Sequence, residues 1–197
     1  MISEQNWDKK LNICTSGRDD SLEDAHHFPY EPTPYTVLGR LAESGWIRRE
    51  NCLLDYGCGK GRVCFYLADR TGCSCIGIDF SENFIAGAKT NLASCTGSGE
   101  VSFFRESAER YQVPKDADRF FFFNPFSVKV LQSAVSRILE SWYAFPRHML
   151  LMFYYPSDDY VSWLMGQEAL CFYDEEDCSD LFPGDTRERI LAFEITV

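Results

Sequence analysis

Three short stretches carry residues whose types and spacing could do chemistry. The first is Asp55-Tyr56-Gly57-Cys58-Gly59-Lys60-Gly61-Arg62, an acid followed by glycines at alternate positions. Glycine accepts the backbone angles of a sharp turn and puts no Cβ between chain and ligand. A helix starting just beyond such a loop aims its free N–H groups and positive dipole end at whatever the loop holds. The second stretch is Ile76-Gly77-Ile78-Asp79-Phe80-Ser81, whose acid falls 24 residues after Asp55 (79 − 55). At that distance beyond a glycine loop a carboxylate can accept both hydroxyls of a ribose, and Phe80 can pack on an adenine face. Read structurally, Asp79 merely precedes a helix cap at Ser81. The third stretch is Phe123-Asn124-Pro125-Phe126. Asn-Pro is turn chemistry that ends a strand, and the carboxyl ends of strands are where ligands sit in open α/β sheets.

These residues need elements to position them, and the chain from Asn51 onward alternates strand and helix. Strands are expected at Cys52–Tyr56, Ser74–Asp79, Val101–Phe104, Arg119–Phe123, His148–Tyr155, Leu170–Tyr173 and Arg189–Ile195. Helices are expected over Arg62–Asp69, from the Ser81 cap through Leu92, over Val128–Trp142 and, from a Ser157-Asp158 start, over Asp158–Met165; the second and third carry an apolar stripe at helical spacing. An earlier helix starts with Thr33 as cap and Pro34 at its first position, and stops at Gly45. This alternation implies an α/β fold: a doubly wound, mostly parallel seven-strand sheet with helices on both faces. The last strand should return antiparallel, because the acidic loop Asp174–Asp185 before it contains no helix. Residues 1–28 are polar and aperiodic and read as a loosely packed arm, leaving 29–197 as a single domain.

Composition narrows the partners. Nineteen Lys and Arg against 30 Asp and Glu give a net charge of −11. That argues against nucleic acid as the partner, which calls for a basic surface, and suits cationic substrates. The longest apolar run is far short of a membrane span, and MISEQNWDKK lacks the basic start and apolar stretch of a secretory signal. A cytoplasmic protein with no membrane partner is the expectation. The nine cysteines are odd in number and irregularly spaced, as reduced thiols would be. Cys73 and Cys75 should share one face of a strand as small apolar fillers, and no spacing suits a metal.

With these residues in view, 51–156 resembles a class I (seven-strand) S-adenosylmethionine-dependent methyltransferase. Asp55-x-Gly57-x-Gly59-x-Gly61 is similar to the family's first motif, and Asp79 to its ribose-binding acid. The spacing differs from the G-x-G-x-x-G of nicotinamide-binding folds. The resemblance implies S-adenosyl-L-methionine as cofactor. Its methionine part would lie on Gly57, Cys58, Gly59 and Gly61, with Asp55 near the ammonium. Ser107-Ala108 stands where the family often has an acid followed by Ala, so the adenine amino group would meet a weaker acceptor.

Phe123-Asn124-Pro125-Phe126 resembles the Asn/Asp-Pro-Pro-aromatic signature of amino-directed methyltransferases, with Phe126 in place of the second Pro. The likeness implies that Asn124 accepts a hydrogen bond from the target amine and that Phe126 forms a packing wall. Tyr30-x-x-Thr33 resembles the cofactor-covering loop of the non-SET histone lysine methyltransferases. Thr33 would then reach the cofactor carboxylate and Tyr30 would shield the sulfonium. Lys60 and Arg62 either pair with that carboxylate or face solvent. His26 and His27 could reach the site if the arm folds over it, whereas His148 reads as structural. Tyr154 and Tyr155 would join Phe126 in walling a dry acceptor pocket.

The implied reaction is in-line methyl transfer to a nitrogen or oxygen of a small molecule or protein side chain. The alternative is a regulatory protein that binds the cofactor without catalysis.

Overall fold

The computed structural model of the chain describes residues 4–17, 31–182 and 184–196. Seven strands form one sheet: β1 (Cys52–Tyr56), β2 (Ser74–Asp79), β3 (Val101–Arg105), β4 (Arg119–Phe122), β5 (Leu150–Tyr154), β6 (Leu170–Asp177) and β7 (Arg189–Ile195). Among the described residues six helices accompany them: α1 (Glu4–Leu11), α2 (Tyr35–Glu43), α3 (Arg62–Thr71), α4 (Glu82–Ser94), α5 (Val128–Ala144) and α6 (Asp158–Met165). The strand order is β3-β2-β1-β4-β5-β7-β6. Pairings from β3 through β5 are parallel, and β7 is antiparallel to both neighbours. The mostly parallel α/β sheet with a reversed last strand is as expected. Because β1 to β3 grow one way and β4 to β5 the other, the direction switches between β1 and β4, where a crevice opens at the strands' carboxyl ends.

Period-two geometry sorts the strand side chains onto the two faces. Leu53, Phe121, Met152 and Tyr154 face a core closed by α1, α2, α3 and α4. Leu54, Phe120, Phe122, Leu151 and Phe153 face a second core closed by α5 and α6. The strands are apolar on both sides because helices cover both. Ser81 caps α4 by accepting from the Phe84 N–H at 3.3 Å, and Ser157 caps α6 in the same way from Tyr160. The Cys73 and Cys75 thiols lie 3.5 Å apart, buried, as their alternation requires.

Several expectations need correction. Residues 4–17 are not loosely packed: Trp7, Leu11 and Ile13 are buried, and Trp7 meets Tyr66 edge-on at 4.7 Å. The N-cap of α2 is Pro34 rather than Thr33, and no side chain bonds there; the Thr33 side chain is buried beside the cleft instead. A third of the supposed acidic loop is strand, since β6 continues to Asp177 along the sheet edge. Strand β5 starts at Leu150, which leaves His148 exposed and 3.4 Å from Glu194. Strand β4 stops at Phe122, so Phe123 and Asn124 belong to the loop beyond it. Among the described residues no helix is long and apolar enough to cross a membrane.

Candidate active site

The glycine loop joins β1 to α3 and is tied down by its own backbone. The N–H groups of Gly57 and Cys58 both donate to the Ile78 carbonyl, at 2.9 and 3.0 Å, and Gly61 N–H donates to Cys58 at 2.8 Å. Gly57, Gly59 and Gly61 all have positive φ. Two of them also have no room for a side chain. A Cβ on Gly57 would lie 2.7 Å from Pro125 Cβ, and one on Gly61 would lie 2.4 Å from Phe103 Cζ. The first contact seats the loop directly against the segment that follows β4.

Asp79 ends β2 and holds three strand ends together. Its Oδ2 accepts from the Gly59 N–H at 3.0 Å and its Oδ1 from the Ser81 N–H at 2.8 Å. Its carbonyl accepts from Glu106 N–H at 3.0 Å. The same carboxylate thus holds the Ser81 N–H ahead of α4 and lines the cleft. Beyond it, Phe80 is 38% exposed on the cleft.

Asp55 is buried under the loop, and the Cys64 thiol, 3.7 Å from Oδ2, is its one hydrogen-bond donor among the described residues. Burial pushes this carboxyl up to about 8; the thiol opposes the shift weakly and the Asp79 charge adds to it. The neighbouring Cys58 thiol is raised well above its ordinary value, chiefly by burial and then by Asp55 and Asp79. The raised carboxyl has a consequence for stability. Between its ordinary value of 3.8 and about 8 the folded state holds a proton that the unfolded chain has released, so stability falls as pH rises across that window. Asp55→Asn should therefore match wild type in melting temperature near pH 4 and exceed it at pH 8, on the order of 5 °C. Paired melting curves at the two pH values check this.

One cleft gathers these elements. Its empty space, counted out to solvent, is about 920 Å³. Of the residues expected from sequence, Thr33, Asp55, Gly57, Cys58, Asp79, Phe80, Ser107, Ala108 and Phe126 line it. Gly59 and Gly61 lie in the loop behind that lining. Ser107 Oγ accepts from Glu109 N–H at 3.3 Å, so the hydroxyl has a local partner. Tyr30, His26 and His27 lie outside the described residues.

Asn124 does not itself line the cleft; its neighbours Phe123 and Pro125 do. It adopts φ +40°, uncommon for a residue with a Cβ. Its Oδ1 is buried with no hydrogen-bond partner among the described residues. A buried acceptor left unpaired is costly.

The aromatic wall differs from expectation. Phe121, Phe123 and Phe126 line the cleft, whereas Tyr154 and Tyr155 do not. Tyr154 sits one layer behind, its ring 4.6 Å from that of Phe123 and its hydroxyl donating to Glu188 at 2.6 Å. Tyr155, at φ +51°, turns its hydroxyl to Asp185, also at 2.6 Å. Arg62 neither faces solvent nor protrudes: it is 5% exposed, lines the cleft, and donates from Nε to Thr15 Oγ1 at 2.8 Å. Sequence reasoning missed Asn91, whose amide donates to the Lys60 carbonyl at 3.0 Å and braces the glycine loop from α4. A buried Asn on an otherwise apolar helix face was the available signal.

Comparison with known proteins places this geometry. A family model described as a methyltransferase domain matches residues 53–145. A protein-lysine N-methyltransferase from Saccharolobus islandicus (strain REY15A) is 29% identical over 80 residues, 40% of this chain. The match spans half the length of that relative. An RNA methyltransferase from Salinibacter ruber, solved with S-adenosyl-L-homocysteine, superposes with a TM-score of 0.56 at 18% identity, covering 84% of this chain and 94% of that one. Magnesium protoporphyrin IX methyltransferase from Synechocystis PCC 6803, also with S-adenosyl-L-homocysteine bound, gives 0.59 at 14% identity over 82% and 81%. Those two share the fold. The glycine loop and Asp79 share one cleft at the β1/β4 switch, and the methyltransferase-domain match runs across both of them.

Proposed function

We propose that this chain binds S-adenosylmethionine in the cleft and methylates a nitrogen, or less favourably an oxygen, on a small molecule or protein side chain. The observation that carries the reading is the buried, unpaired Asn124 Oδ1 beyond β4, next to a cleft that holds both the glycine loop and Asp79. The residues present fit the cofactor. Gly57, Cys58, Asp79 and Phe80 line one cleft, so the backbone that would hold an amino-acid tail lies beside the carboxylate that would hold a ribose.

In this reading Asp79 accepts the ribose hydroxyls and Phe80 packs on the adenine. Ser107 and Ala108 face the adenine edge. The Gly57–Gly61 loop carries the amino-acid tail, with Gly57 offering its carbonyl and Asp55 its carboxyl to the ammonium. Thr33 closes over that end. When bound, the cofactor would supply an electrophilic methyl carbon, to which the acceptor lone pair bonds in line as the carbon–sulfur bond breaks, the neutral thioether leaves and the acceptor's surplus proton passes to solvent. The protein's share is alignment and exclusion of water. Asn124 Oδ1 accepts an N–H of the acceptor amine and so aims its lone pair. Phe123 and Phe126 keep the pocket dry, which lowers an amine's pKa and favours the neutral nucleophile. A nitrogen acceptor is favoured because Asn124 offers an acceptor oxygen, and the lysine-directed relative points the same way.

The test is transfer of labelled methyl from S-adenosylmethionine to components of a cell extract. Wild type is expected to label an acceptor. Asn124→Ala should lower that turnover about 100-fold while leaving affinity for S-adenosylhomocysteine within a few-fold in calorimetry. Tight cofactor binding with no label in a single turnover would instead favour the non-catalytic regulatory reading.

A further inference from the structure

The cleft is lined by five acidic residues, Glu31, Asp55, Asp79, Glu106 and Glu109, and Arg62 is the one cation among its described lining residues. Arg62 is the first residue of α3, immediately beyond the glycine loop, so it stands where the proposed amino-acid tail would lie. Its guanidinium is gripped from several sides. Nε donates to Thr15 Oγ1 at 2.8 Å, Nη1 donates to the Thr33 carbonyl at 3.2 Å, and the Tyr35 ring lies 4.3 Å below.

Behind Arg62 stands Asp8 of α1. Thr15 Oγ1 donates onward to Asp8 Oδ1 at 2.8 Å, and Thr15 N–H to Oδ2 at 2.9 Å. Tyr35 donates its hydroxyl to the same Oδ1, and Asp8 Oδ1 lies 3.9 Å from Arg62 Nη2. Burial works against the Asp8 charge, but hydrogen bonds from Tyr35 and Thr15 outweigh it and hold the carboxyl below its ordinary value. Asn91 fixes the same segment from the other side, accepting from Cys14 N–H at 2.8 Å while its amide bonds the Lys60 carbonyl. This relay runs from carboxylate to hydroxyl to guanidinium, and it connects α1 to the floor of the cleft.

We infer that Arg62 reads the carboxylate of the cofactor's amino-acid tail and that Asp8 and Thr15 are positioning residues that set its guanidinium for that contact. The inference rests on the cofactor reading above. A rigid, planar fork matches a carboxylate in two parallel hydrogen bonds, and its worth depends on being held in orientation before the ligand arrives. The N-terminal helix is then a working part of the site.

Calorimetry with two ligands tests it: S-adenosylhomocysteine, and S-adenosyl-thiopropylamine, the same thioether without its carboxylate. Wild type should prefer the first by about tenfold or more. Arg62→Gln should abolish that preference while keeping affinity for the decarboxylated ligand within about threefold. Asp8→Asn and Thr15→Val should each shrink the preference severalfold, and Thr15→Val decides the positioning claim if Asp8→Asn does not fold. Equal wild-type affinity for both ligands would overturn the inference and leave the cofactor reading standing. Equal weakening of both ligands by the variants would also overturn it, by making the network merely structural. Failure of wild type to bind either ligand would instead defeat the cofactor reading and this inference with it.

Discussion

Asp79→Ala is expected to weaken S-adenosylhomocysteine binding at least about 100-fold, with little left to measure by calorimetry. Two losses add. The proposed ribose hydroxyls lose an ionised acceptor, and hydrogen bonds to charged groups are the stronger kind. The protein also loses the group that accepts from Gly59 N–H at 3.0 Å and Ser81 N–H at 2.8 Å, so the glycine loop comes adrift from the end of β2. Asp79→Asn separates the two contributions. Its remaining carbonyl can satisfy one of those amides, so its melting temperature should sit nearer wild type than that of the alanine variant while binding stays poor. Undiminished affinity in Asp79→Ala would remove the ribose role altogether.

The second large effect is on folding. Gly61→Ala should lower stability by about 2–5 kcal/mol, since a left-handed backbone costs a residue with a Cβ about 1–2 kcal/mol and overpacking adds about 1–3. For a chain of this length that corresponds to a fall of about 10 °C in melting temperature. Gly61 sits at φ +90°, and an added Cβ would meet Phe103 at 2.4 and 2.8 Å and Phe65 at 2.9 Å. Those rings belong to β3 and α3, already packed against each other at 5.2 Å between centroids, so neither can swing aside freely. Gly45→Ala serves as the comparison. At φ +79° with nothing within 4 Å of its Cβ, it carries the backbone cost without the collision. Thermal melts of both variants should therefore differ by several degrees, and equal losses would mean that crowding at Gly61 has been overstated.

Sequence made the strand-helix alternation, the reversed last strand, the glycine loop and Asp79 legible, because each rests on local pattern. Leu53 and Leu54 point to opposite covered faces, and a residue run such as Phe120–Phe122 has no other way to be buried. Long-range polar contacts have no such signature. Asp8 earns its burial through Tyr35, 27 residues away, and through Arg62 beyond that, so a helix with few apolar residues looked like a polar arm. Charge misled at the other end as well. Asp174 to Asp177 read as loop, yet an edge strand has an open side where acids stay solvated, and they discourage pairing with another chain. Position at the carboxyl end of the fifth strand suggests Tyr154 and Tyr155 as cleft residues, but their hydroxyls are drawn to Glu188 and Asp185 on the β6–β7 connection. The Asn124 turn was visible as Asn-Pro; its unpaired oxygen was not, since satisfaction of a buried group depends on everything that surrounds it.

The four phenylalanines at 120–123 have a bearing on how the chain reaches this fold. Strand β4 lies mid-sheet, paired with β1 on one side and with β5 on the other. During synthesis β1 is already available, but β5 emerges about 30 residues later, so one flank of a very sticky segment stays open in the meantime. Apolar β-formers in that situation are prone to self-association. Lys115, Asp116, Asp118 and Arg119 ahead of the run and Pro125 just after it are the residue types that restrain such association. Chaperone dependence, and loss of yield when those flanking charges are neutralised, would trace to this strand.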